Sequence, residues 1–142
     1  MNEVNFPDPK ISRLILEHLD GFLGLKQISV NLDIDPTFNI KYCKFEFQVQ
    51  MTTLRLSLVE RTKSNVYGLV FLIVRGKYQH ISFDDYLKYI NSSELIKIKN
   101  DPALDNYASI EAQVLLFKKY LETDLKKIFT ENDWIEVPFY RD

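Results

Sequence analysis

The sequence predicts an α+β fold. A single domain over residues 1–142 carries a mostly antiparallel sheet of three to five strands, with an N-terminal helix and a long C-terminal helix packed on it. Three observations lead there. Apolar residues recur at spacings of three and four near the start, they alternate with polar residues between Ile28 and Leu58, and they return to helical spacing from Ile110 to Ile128. A chain of 142 residues is long enough to bury a core of its own. Large side chains must fill that core, because the chain has 10 Phe and 8 Tyr while Ala103, Ala108 and Ala112 are its only alanines.

Asp8 is a good N-cap and Pro9 a good first helical residue. Ile11, Leu14, Ile15, Leu19, Phe22 and Leu23 then form one apolar stripe, and Gly24 reads as the C-terminal stop. Ile28, Val30, Leu32 and Ile34 share one face of a half-buried strand, and Asp35-Pro36 opens a turn. Cys43, Phe45, Phe47, Val49 and Met51 share a face in the next strand. The phase then slips, because Leu54, Leu56 and Leu58 are even-numbered. "MTT" holds no glycine, asparagine or proline, which favours one long bent strand with a bulge near Thr52 and Thr53 over a turn between two strands.

Val66 to Val74 carry no charge and show no alternation. Their length and their Val, Ile, Phe and Tyr content predict a strand. The lack of a polar face predicts a central strand covered on both sides, by helices or by a second copy of the chain. Ser82 and Asp85 form a capping box at the start of a short helix that ends near Asn91, with Ile81 and Tyr86 placed as a hydrophobic staple. "SSELIKIKN" reads equally as strand or helical turn. After Asp101-Pro102 a long helix becomes regular by Tyr107, and Ile110, Val114, Phe117, Leu121, Leu125 and Ile128 run along it as a stripe. The C-terminal segment "WIEVPFYRD" is too apolar to stay in water, so Trp134, Phe139 and Tyr140 are expected to pack on the domain or on a partner.

Charge and composition narrow the chemistry. The net charge of −2 divides into −3 over residues 1–40, +5 over 41–100 and −4 over 101–142, which is not the strongly basic balance of a nucleic-acid binder. Arg55, Arg61, Lys63, Arg75 and Lys77, with Tyr67 and Tyr78, would suit nucleic acid, but solvated strand ends and turns explain them better, and no nucleic-acid partner is predicted. No window reaches the roughly 20 apolar residues of a membrane span, the start does not read as a secretory signal, and one cysteine cannot close a disulfide within the chain. A cytoplasmic protein is the expectation. His18, His80 and Cys43 are too scattered for a metal site, and the glycines form no phosphate loop, so neither metal nor cofactor is predicted. Cys43 shares the face of Phe45 and Phe47 and reads as a buried, inert thiol.

What remains is a surface for a protein partner. Asp33, Asp35, Asp133 and Trp134 are the predicted partner-binding residues, the acids speeding encounter with a basic partner and the indole slowing release. The segments "LRLSLVERTKSNVYGLVFLIVRGKYQHISFDDYLKYI" and "SIEAQVLLFKKYLETDLKKIFTENDW" set a strand, a polar hairpin, a strand, a short helix and a long helix in order. That order, over about half the chain, resembles small bacterial immunity proteins found beside polymorphic or contact-dependent toxins. The resemblance implies a non-enzymatic protein that binds and neutralises a toxin domain. Two alternatives stand beside it: an enzyme or ligand-binding domain with a site between the sheet and the C-terminal helix, using His80, Glu60 or Arg55, and a homodimer in which a twin covers strand 66–74 or the tail.

Overall fold

The computed structural model describes residues 7–38, 40–61 and 66–138. Helix α1 (Pro9–Leu19) leads through a 3-10 turn (Phe22–Gly24) into five strands: β1 (Lys26–Asp35), β2 (Ile40–Val49), β3 (Thr52–Arg61), β4 (Val66–Arg75) and β5 (Gln79–Ser82). Four helices follow: α2 (Phe83–Tyr89), α3 (Glu94–Lys99), α4 (Asn106–Glu122) and α5 (Lys126–Thr130). The strands form an antiparallel meander in the order β1-β2-β3-β4-β5. This is the predicted α+β class, with all five strands in one sheet.

Local signals act as the sequence indicates at most helix starts. Asp8 accepts the Lys10 N–H at 2.9 Å with Pro9 at the first helical position, and Ser82 Oγ accepts the Asp85 N–H at 3.4 Å. Asp105, rather than the Asp101-Pro102 pair, caps α4 by accepting the Ala108 N–H at 2.8 Å. The ambiguous "SSELIKIKN" holds the helix α3. Helix α1 ends earlier than Gly24. Gly21, at φ +88°, makes the left-handed exit, and Phe22 and Leu23 belong to the turn beyond it.

The core lies on one face of the sheet. Cys43, Phe45 and Phe47 of β2, Leu54, Leu56 and Leu58 of β3, Leu69, Phe71 and Ile73 of β4 and Ile81 of β5 are buried, together with the inner sides of α1, α2 and α4. Phe71 stacks on Phe117 with ring centres 4.1 Å apart, and Phe83 meets Phe117 edge-on at 4.7 Å, which ties β4, α2 and α4 together.

Three expectations are corrected. First, β4 is the fourth strand of five and β3 is the middle one. Among the described residues only one side of β4 is covered: Leu69, Phe71 and Ile73 are buried, while Val70 on the other side is 44 % exposed and Gly68 is exposed. Uncharged residues on both faces reflect a sparsely polar outer surface and not a second helical layer. Second, the phase slip after Val49 is a hairpin and not a bulge. Val49 pairs with Thr52 across a two-residue turn, and Gln50 takes the left-handed conformation at φ +51°. Across that turn odd positions face even ones, as in Cys43 with Leu58 and Phe45 with Leu56, so the change of parity keeps every large apolar residue on one face. Third, the long C-terminal stripe is divided between two helices. Thr123 leaves helical geometry at φ −117°, ψ −91°, yet Leu121, Leu125 and Ile128 all remain buried.

The tail folds back as expected over its described part. Arg75 donates from Nη1 to the Asn132 carbonyl at 2.9 Å and from Nη2 to Asn132 Oδ1, and Trp134, Ile135 and Val137 pack on the core. Phe139 and Tyr140 lie outside the described residues.

Candidate functional site

Among the described residues strand β1 is an edge strand whose hydrogen-bonded neighbour is β2. The register sets Val30 opposite Phe45 and Leu32 opposite Cys43, so these residues belong to the face that carries the core. The helical layer does not reach them: α2 packs on β4 and β5 and α4 packs on β4, whereas the principal contacts of β1 are with β2. As a result Ile28, Val30, Leu32 and Ile34 are 53, 41, 54 and 55 % exposed, where the sequence predicts half-buried residues. Phe38 and Met51, in the turns at either end of β2, are also exposed.

The free edge is closed at its ends and open between them. The bulge between Gln27 and Ser29 inserts Ile28 as an extra residue. Asp20 Oδ1 accepts the Gln27 N–H at 3.1 Å, and Asp33 Oδ1 accepts the Ile34 N–H at 2.9 Å. Among the described residues no side chain takes a backbone amide between Ile28 and Asp33. A long, uncharged, apolar edge is a template for another strand, which folded monomers usually block with charge or proline. Here the blocking groups flank an open middle. Burying four half-exposed aliphatic side chains would contribute roughly 3–6 kcal/mol.

The four predicted partner-binding residues do not share one surface. Asp33 and Asp35 lie at the C-terminal end of β1, on the outer face, opposite Tyr42 and Ile40. Both carboxylates bond backbone: Asp33 to Ile34, and Asp35 to the Thr37 N–H at 2.9 Å in the turn. Asp133 and Trp134 follow the Asn132 that Arg75 holds. Arg75 pairs with Thr52 and Lys26 pairs with Gln48, so the tail sits toward the opposite end of the sheet. The seven residue-to-residue steps from Lys26 to Asp33 span about 23 Å of strand. Trp134 is partly buried against the core, which leaves its indole a partly structural role.

The alternative acid–base set is divided by the sheet. Glu60 is on the inner face, 2 % exposed, whereas His80 and Arg55 project from the outer face. Arg55 pairs with Glu46 at 3.3 Å. Cys43 is 1 % exposed, and burial pushes its thiol above the ordinary range, away from nucleophilic thiolate. Of the basic stretch, Lys63 and the Arg61 side chain lie outside the described residues. His18 Nδ1 lies 3.4 Å from Lys118 Nζ at the helix surface. Among the described residues no three His, Cys, Asp or Glu side chains converge on a metal position, and no helix is long and apolar enough to cross a membrane.

Beside Glu60 the structure gathers a polar group at the start of α4. The Tyr67 hydroxyl donates to Glu60, and burial together with that carboxylate raises its phenol above the usual range. The Tyr67 N–H donates to Asn106 Oδ1 at 3.2 Å. Gln113, 2 % exposed, completes the group and is not among the predicted candidates. Its signal was in the sequence: a glutamine three residues after Ile110 and four before Phe117 falls on the apolar stripe. No family model, curated protein or solved structure matches this chain.

Proposed function

We propose that this chain is a non-enzymatic binding protein whose partner is another protein that lays an extended segment along β1. The observation that carries this reading is the open edge between Ile28 and Asp33, flanked by four exposed aliphatic side chains on one face. Strand addition would complete the backbone hydrogen bonds of the edge and cover the stripe that the helices leave bare. The partner segment is expected to alternate apolar with polar or basic residues. Its apolar side chains would meet Val30 and Leu32, and its basic ones would reach the Asp33–Asp35 end. A toxin domain is the partner class that the immunity-type layout favours. Separation of His80 from Glu60 by the sheet also weighs toward binding over acid–base chemistry.

The test is purification from the native host, followed by amide hydrogen exchange on the complex. A stoichiometric protein partner and new protection between Ile28 and Asp33 are expected. Leu32→Lys should abolish capture while changing stability by no more than about 0.5 kcal/mol, because the side chain is already half in water. A complex that protects some other surface, or a Leu32→Lys variant that retains its partner, overturns the proposal.

A twin is the second reading, favoured by the self-complementarity of β1. If two copies pair antiparallel with Asn31 opposite Asn31, Val30 meets Leu32 and Asp33 faces Ser29, all within the stretch beyond the Ile28 bulge. No like charges oppose one another in that register. Sedimentation at low micromolar concentration separates the readings: a dimer lost in Leu32→Lys supports the twin, and a monomer excludes it.

A further inference from the structure

The first turn of α4 borders a cleft of about 350 Å³ whose walls include Tyr67, Lys99, Asp101, Asp105, Asn106 and Gln113. Gln113 Nε2 donates to Ser109 Oγ at 3.1 Å, which orients the amide. Its Oε1 is buried and accepts no hydrogen bond. A buried amide oxygen without a donor is costly, so one that lines a cleft marks a place for a ligand donor. The neighbouring groups ask for the same chemistry. Asp101 and Asp105 line the same cleft and add two carboxylates. Lys99 pairs with Asp84 at 3.5 Å, on the rim. The positive end of the α4 dipole would disfavour a cation, but the Asp105 carboxylate already caps it at the Ala108 N–H.

We infer that this cleft binds an alkylguanidinium group, with Gln113 Oε1 as the buried acceptor and Asp101 and Asp105 supplying the countercharge. A guanidinium offers several N–H donors in one plane to acceptors spread over the walls, which a single ammonium does not. The volume admits the head group and a short alkyl stem. The same head occurs on free amine metabolites and on arginine side chains of proteins, and the cleft's chemistry fits both. The site is built from β4, the end of α3, the α3–α4 connection and α4 and does not involve β1, so it stands or falls independently of strand addition.

The experiment is a ¹⁵N–¹H NMR titration of the full chain with agmatine, with N-acetyl-arginine amide, and with the uncharged n-butylurea. Saturable shifts at the Gln113 side-chain amide and at the Tyr67 and Asn106 backbone amides are expected from the two cations, with weaker binding at high salt. Tighter agmatine binding assigns the site to a free metabolite. Equal affinities assign it to an arginine side chain. Gln113→Leu should weaken binding about tenfold or more. Asp105→Asn keeps a good N-cap while removing a charge, so it should fold normally and still bind more weakly. Absence of shifts in the cleft, equal binding of n-butylurea, or an Asp105→Asn variant with unchanged affinity overturns the assignment.

Discussion

Tyr86 shows how single side chains hold the helical layer on the sheet. Its ring is buried against Tyr120, centres 5.9 Å apart, while its hydroxyl donates to Asp124 Oδ2 at 2.6 Å. The bond joins α2 to the break between α4 and α5, where Thr123 Oγ1 donates to the Lys119 carbonyl at 2.8 Å. Burial, then the Asp124 carboxylate, holds the Tyr86 phenol above its ordinary value of 10.0, and Tyr67 is raised in the same direction. The folded state therefore keeps two protons that the unfolded chain releases above about pH 10. Their contribution to stability is complete below that pH and is lost as pH rises through the folded values. Tyr86→Phe should cost about 1 kcal/mol at neutral pH, since Asp124 can rehydrate, and should make the alkaline fall in stability shallower. Urea midpoints measured between pH 7 and pH 11 check both; an unchanged alkaline slope would show that the phenol is not linked to folding.

The β2–β3 hairpin illustrates a conflict between local preference and the sheet. Gln50 is in the left-handed region at φ +51°, where a residue with a Cβ is strained. The sheet imposes that conformation because a two-residue turn sets Phe45 opposite Leu56 and Phe47 opposite Leu54, all four fully buried. Gln50→Gly removes the strain, offset in part by the extra conformational entropy that glycine gives the unfolded chain. It should stabilise the protein by about 0.5–1 kcal/mol, seen as a higher urea midpoint with an unchanged slope. Destabilisation would mean that the Gln50 side chain contributes more than its backbone costs. Strand β1 makes the complementary point. Its alternation is correct as a strand pattern, yet period two specifies only which residues share a face and says nothing about whether that face is covered.

The domain as a unit is a sheet covered on one side, and its two faces should respond differently to mutation. Phe117 touches both Phe71 and Phe83 at the centre of the core. Phe117→Ala should cost about 3–5 kcal/mol, whereas Val70→Ala, on the outer face of the same strand as Phe71, should cost less than about 0.5 kcal/mol. Chemical denaturation followed by far-ultraviolet circular dichroism checks the pair. Comparable losses at both positions would mean that the outer face is also packed in solution.

Caps, turns and periodicity are local properties, so Asp8, Ser82 and the apolar stripes of α1 and α4 announced their elements without any knowledge of the rest of the chain. The inner face of the sheet was equally legible, because Phe45, Phe47, Leu54, Leu56, Leu58 and the α4 stripe are large and regularly spaced. The candidate sites were not. That β4 is fourth of five, that the helices stop short of β1, and that Gln113 and Tyr67 line one cleft from distant parts of the chain depend on how far one layer extends over another. The chain alone determined which residues are apolar and which of them share a face; only the assembled tertiary structure decided which of them the helices are wide enough to cover, because coverage depends on the extent of one layer over another.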